Sequence, residues 1–169
     1  MGTIQQYLQP EEAVTLSSNF ARYQRADGSS FPVTGLAFTG SGTTPQEAVW
    51  KFTPLGYGSG NVTMDVIWYA ASGTSGSVAW TGCVAAITPN TDTQDVQTKT
   101  FGSAALQITN HLGTTARRLH KTTLSLSSSH IDSMAAGDEC WLQVLRPPDL
   151  DTLAADAILT SVRLSYSDT

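Results

Sequence analysis

The sequence predicts an all-β protein, an antiparallel β-sandwich of the jelly-roll kind with about eight or nine strands and little helix. Three observations carry this. Apolar and polar residues alternate at period two in at least five segments. Tracts of Gly, Pro, Asn, Asp and Ser separate those segments at the spacing of a sandwich. Charged residues make up only 14%, against about 25% in an average soluble protein. Ser, Thr and Gly fill the gap, which suits short strands and turns better than amphipathic helices.

The chain divides into an arm over 1–12, polar and patternless, and one domain over 13–169. A short strand at 13–16 and an apolar point at 20–23 follow the arm, then a turn at Ala26, Asp27, Gly28, Ser29 and Ser30. An extended run begins at Pro32, with Leu36 and Phe38 on one face. The run 47–53 alternates cleanly, with Ala48, Trp50 and Phe52 inward. The centre of the sequence is 61–87, two long apolar-rich runs joined by A-S-G-T-S-G-S, the pattern of a pair of extended strands linked by a turn or short loop. Val62, Met64, Val66, Trp68 and Ala70 share one face of the first run. Val78, Trp80, Gly82, Val84 and Ala86 share one face of the second. A polar connection over 88–100 follows, then strands at 104–109, 119–127, 139–146 and 157–166. A single helical turn capped by Ser128 or Ser129 fits at 130–134. Pro147 and Pro148 stop the penultimate strand.

Charge narrows the function. A net charge of −5 and a pI near 4.9 argue against a nucleic-acid backbone as partner. The one basic cluster, Arg117, Arg118, His120 and Lys121, reads as a solvated edge. No apolar run reaches the length of a membrane span, and the first residues lack the pattern of a secretory signal. The expectation is synthesis in a cytoplasm, with Cys83 and Cys140 buried as free thiols; a bridge between neighbouring strands is the alternative.

No constellation demands chemistry, so the chain is read as no enzyme and as needing no cofactor. His111, His120 and His130 have no partner at metal-ligand spacing and read as loop or surface residues. Asp149, Asp151 and Asp156 cluster and could bind calcium, but turn and backbone hydrogen bonding explains them better. Trp50, Trp68 and Trp80 fall on inward faces, so core packing outweighs sugar stacking. One anomaly remains. Ile67, Tyr69, Trp141 and Leu145 lie on nominally outward faces and would form an apolar patch if their strands were neighbours.

The order of features now matters: W-K-F-T-P-L-G-Y-G-S-G-N-V-T-M-D-V-I-W-Y-A, G-S-V-A-W, M-A-A-G-D-E-C-W-L-Q-V-L-R and D-A-I-L-T-S-V-R-L-S-Y. It resembles a β-sandwich domain of tailed-bacteriophage structural proteins, both head decoration (cement) proteins and tail appendages. The resemblance runs from Trp50 to Tyr166 and implies a virion component, made in the bacterial host cytoplasm, with no active-site residues. The expectation drawn from it is a homotrimer that cements the major capsid protein. Its trimer contact would be Ile67, Tyr69, Trp141 and Leu145, and its capsid contact the arm through Ile4, Tyr7 and Leu8. The alternative is a carbohydrate-binding or host-recognition module of a tail appendage, with a glycan as partner.

Overall fold

The structure, a computed structural model, describes residues 2–40 and 42–169. The described residues form ten strands: β1 (Thr3–Leu8), β2 (Arg22–Asp27), β3 (Pro32–Phe38), β4 (Gln46–Phe52), β5 (Val62–Ala70), β6 (Ser77–Ile87), β7 (Ala105–Asn110), β8 (Leu119–Leu126), β9 (Glu139–Arg146) and β10 (Ala157–Ser167). They pair, antiparallel throughout, into two sheets. The larger runs β2-β3-β10-β5-β8, with β1 also on β10; the smaller runs β4-β9-β6-β7. This is a β-sandwich. Among the described residues helix is confined to two single 3-10 turns, Pro10–Glu12 and Pro148–Leu150.

The period-two faces pack as the pattern requires. Trp50, Trp68, Trp80, Phe38, Met64, Leu142 and Leu159 are fully buried between the sheets. The Phe38 ring meets Trp80 edge-on at 4.9 Å, an arrangement favoured by the ring quadrupoles. Burial of apolar surface stabilises the fold by about 25 cal/mol per Å², so side chains of this size contribute strongly. Cys83 and Cys140 are both buried and free. Burial pushes the Cys83 thiol up to about 11 and the Cys140 thiol up to about 12.

Four expectations need correction. Residues 1–12 are no free arm, because β1 pairs with the C-terminal half of β10 from Thr3–Ser167 to Leu8–Val162. The period-two signal was there, with Ile4, Gln6 and Leu8 facing the core, but it is short and half polar. Gln9 then accepts the indole N–H of Trp50 on its carbonyl at 2.8 Å, tying the following 3-10 turn to the sandwich. The two central strands do not pair with each other either. β5 and β6 lie in opposite sheets, and Trp68 and Trp80 meet across the core at 6.4 Å. Each strand buries a full apolar face, so the connection between them arches from sheet to sheet.

The third correction concerns 13–16, which forms no strand of its own. The chain over 14–21 instead caps the free edge of β4, with Val14 N–H donating to the Val49 carbonyl and Ala21 N–H to the Glu47 carbonyl. The fourth concerns 130–134, where no helix forms. His130 Nδ1 accepts the Ser127 N–H at 3.0 Å and closes a turn instead.

Candidate functional site

The register places each outward side chain. On the six-stranded sheet, Ala37, Ile158, Tyr69 and Leu119 form one row across β3, β10, β5 and β8. The next row, toward the C-terminal half of β10, carries Ile67 beside Lys121, and the row beyond carries Tyr7, Arg163, Asp65 and Thr123. On the four-stranded sheet, Trp141 sits between Lys51 and Ala85, and Leu145 between Glu47 and Thr81. Ile67 and Tyr69 therefore lie on one outer face of the sandwich, and Trp141 and Leu145 on the other. The four residues make no single patch. Parity assigned their faces correctly, but it carries no information about which strands are neighbours. Of the proposed arm contacts, Ile4 packs against the core and Leu8 is buried; Tyr7 alone is exposed.

The outer face of the six-stranded sheet holds a groove of about 560 Å³. Tyr69 and Val33 lie in its floor above the small buried cluster of Ala37 and Ile158. One wall is the β2–β3 hairpin with Gln24, Ala26, Asp27 and Phe31; the other is Ala71, just after β5, with Arg117 before β8 and Leu119 at its start. Phe31 and Leu119 are 68% and 59% exposed, so two apolar side chains stand up on either side of a buried floor.

Local sequence explains each wall. The turn A-D-G-S-S-F-P needs Gly28, whose N–H donates to the Phe31 carbonyl at 3.1 Å and whose missing Cβ would lie 2.6 Å from that oxygen. The close approach turns Phe31 outward. In the floor, β10 carries a bulge between Leu159 and Ser161. The extra residue, Thr160, is re-aimed into the groove, and its hydroxyl donates to the Ile67 carbonyl at 3.2 Å. Arg117 is exposed, and its Nε donates to the Ala71 carbonyl at 3.3 Å. Asp27 pairs with Arg25 at 3.0 Å on the surface.

Beside the groove lies a charged centre. The Asp65 carboxylate, only 4% exposed, accepts the Thr123 hydroxyl at 2.5 Å, pairs with Arg163 and has Lys121 at 3.7 Å. Burial opposes its charge, yet the hydroxyl and the two cations hold its carboxyl below the ordinary value.

Under the groove, on the core side of the same strands, His120 stacks on Trp68 at 4.7 Å and touches His111 at 4.5 Å. Both histidines are buried; His111 lies in a loop, as expected, whereas His120 is a strand residue, against its reading as a loop or surface residue. His120 alternates inward with Thr122 and Leu124, a period-two position that the neighbouring basic residues masked.

The aspartates do not converge. Asp151 makes a buried pair with Arg146 at 2.6 Å, Asp156 accepts the Gly40 N–H at 3.2 Å, and Asp149 is exposed. Arg146 also donates to the carbonyls of Phe38, Leu153 and Ala155. Among the described residues, no group of three or more His, Cys, Asp or Glu side chains could hold a metal, and no helix is long and apolar enough to cross a membrane.

No protein-family model matches the chain, and no curated protein matches it. Among solved structures it is similar to carbohydrate-binding modules. One is a Caldicellulosiruptor saccharolyticus module in complex with mannohexaose, 6% identical over 95% of this chain and 96% of that one, with a TM-score of 0.46. A second is a mannan-recognising module, 10% identical over 99% of both chains, with a TM-score of 0.45. A third is the C-terminal module of a Zobellia galactanivorans laminarinase, 8% identical over 95% of this chain and 98% of that one, with a TM-score of 0.43. The sandwich stands on its own strand pairing; these alignments add nothing to what the groove binds.

Proposed function

We propose that the chain is a non-catalytic β-sandwich module that binds a glycan in the groove between Phe31 and Leu119. The observation that carries this is the groove's lining. An exposed aromatic ring and an exposed aliphatic side chain flank a buried tyrosine, and Gln24, Asp27, Arg117 and Thr160 line the same space. A sugar ring presents C–H faces to an aromatic side chain and hydroxyls to carboxylate, carboxamide and guanidinium groups. The volume falls within the usual range for small-molecule sites, about 300–1,000 Å³. A hexose unit has about a dozen non-hydrogen atoms. At about 0.3 kcal/mol per atom, one unit binds with a Kd near a few millimolar, and each further unit in contact tightens it.

The resemblance to tailed-bacteriophage sandwiches is what supports the location in this reading, a virion tail appendage that recognises its host through a surface glycan. A capsid-cementing homotrimer has less support. Its trimer patch is split between opposite faces, and its capsid-binding arm is the strand β1. Isothermal titration against a panel of oligosaccharides, mannohexaose, cellohexaose, laminarihexaose and host lipopolysaccharide oligosaccharides, tests the proposal. Saturable binding to one class, lost in Phe31→Ala, is expected. Failure of all four to bind, with a stable trimer in light scattering, would return the cement reading to first place.

A further inference from the structure

We propose that His120 and His111 form an acid-sensitive latch that holds the 111–118 loop, and with it the Arg117–Leu119 wall of the groove, against the sandwich. The consequence for ligand binding rests on the glycan reading; the latch itself does not.

The loop joins β7 of one sheet to β8 of the other. At its N-terminal end the Leu112 N–H donates to His120 Nε2 at 2.9 Å. An imidazole nitrogen that accepts carries no proton, so the His120 proton sits on Nδ1. That Nδ1 is buried without a partner. His111 is set the other way. Its Nε2 lies 3.3 Å from the Ala116 carbonyl, which can only accept, so Nε2 is the donor, and its Nδ1 is also buried without a partner. The contact with Leu112 thus holds the His120 ring neutral, and the two bonds close the loop on itself between Leu112 and Ala116.

Burial and the charged neighbours oppose a positive charge on His120 and outweigh the backbone at Arg118 and Leu112, which favours it. From the loop, Arg118 reaches in to donate to the Leu112 carbonyl at 3.3 Å, and Arg117 follows on the groove side. From β5, Trp68 covers the His120 ring. From the β5–β6 connection, the Gly76 carbonyl takes the His111 N–H. Among the described residues, no carboxylate bonds to either imidazole, so every charged neighbour is a cation. Burial, and next to it His111, holds the His120 imidazole below its ordinary value.

Protonating His120 puts a second N–H where the Leu112 N–H already points. The acceptor becomes a donor, the bond is lost, and a buried cation faces Arg118 with no counter-charge. Moving the loop outward relieves both. Leu119 is the next residue to His120, and Tyr69 the next to Trp68, so the wall and floor of the groove sit directly on the latch. Acid therefore opens the groove.

The test is amide hydrogen exchange of the whole protein by NMR between about pH 7.5 and pH 5.0, corrected for the intrinsic pH dependence, in wild type and His120→Gln. Glutamine keeps an acceptor oxygen for Leu112 and does not titrate. In wild type, exchange at Leu112 and the neighbouring loop amides should accelerate about tenfold or more on acidification; in the variant it should change less than about twofold. Equal acceleration in both would overturn the latch. If His120→Gln does not fold, the His120 ¹⁵N shifts decide in wild type: a protonated Nε2 at pH 5.0 with the Leu112 amide still protected also overturns it. Titrations of the same four oligosaccharides at both pH values separate the two ideas. Loss of affinity on acidification in wild type alone supports both, while no binding of any of the four at either pH removes the groove reading and leaves exchange to decide the latch.

Discussion

The two outer faces of the sandwich start from the same material and end differently. Each places several apolar residues where a simple antiparallel sandwich would be polar. On the four-stranded sheet, Trp141 and Leu145 lie half-buried among their strand neighbours. Gln143 between them donates to Glu47, and Cys83 donates to Gln143. Across the sandwich, Tyr69 is recessed beneath a hairpin on one side and the head of β8 on the other. The difference comes from three local devices on one sheet: the Gly28 turn, the Thr160 bulge and the β7–β8 loop. Outward apolar residues become a site only when the backbone around them rises above the sheet plane.

The comparison can be broken first at the polar centres of the two faces. Asp65→Ala removes a buried carboxylate and strands Arg163, which should cost about 2–3 kcal/mol in chemical denaturation. Glu47→Ala, at the corresponding pair on the other face, should cost about 1 kcal/mol or less, because both partners are half-exposed. Equal costs would mean that the Asp65 network is no more than a surface pair.

A pH series sharpens the same contrast. The folded-state carboxyl of Asp65 is depressed, so its contribution is complete above about pH 4, the ordinary carboxylate value, and is lost as pH falls through its folded value. His120 is also depressed, so its neutral burial begins to cost stability as pH falls below about 6.5, the ordinary histidine value. Stability should therefore fall in two steps on acidification. His120→Gln should remove the upper step, and Asp65→Asn the lower one. A single step unchanged in both variants would contradict the assignment.

At the level of binding, Phe31→Ala should weaken glycan affinity about tenfold, or about 1.4 kcal/mol, while changing folding stability by less than about 0.5 kcal/mol. Trp141→Ser should do the reverse: no change in affinity, and a stability loss of about 1 kcal/mol from the indole area it uncovers. The smallest effect concerns the thiols. With Cys83 at about 11 and Cys140 at about 12, almost no thiolate exists near neutrality, so labelling of native protein should be negligible over minutes and appear only on unfolding.

The sequence made the inward faces legible because a buried face repeats every second residue. Trp50, Trp68 and Trp80 could be placed in the core from that repeat alone. Strand neighbours were not legible, because pairing between β5 and β10 or β6 and β9 depends on contacts far apart in the chain. That is why Ile67 and Tyr69 were grouped with Trp141 and Leu145. Most of the groove was missed for the same reason. Phe31 stood in plain view as a large aromatic residue in a turn, a position with no packing reason for one. Arg117 was visible only as part of a basic cluster. Thr160 depended on a bulge that has no sequence signature at that site.

The most direct test of the groove is a ¹H–¹⁵N chemical-shift map recorded while a binding oligosaccharide is titrated in. The account predicts shifts at Phe31, Val33, Tyr69, Arg117, Leu119 and Thr160, with Trp141, Gln143 and Leu145 unmoved. Shifts centred on Trp141 and Leu145, with the Phe31 hairpin silent, would contradict it.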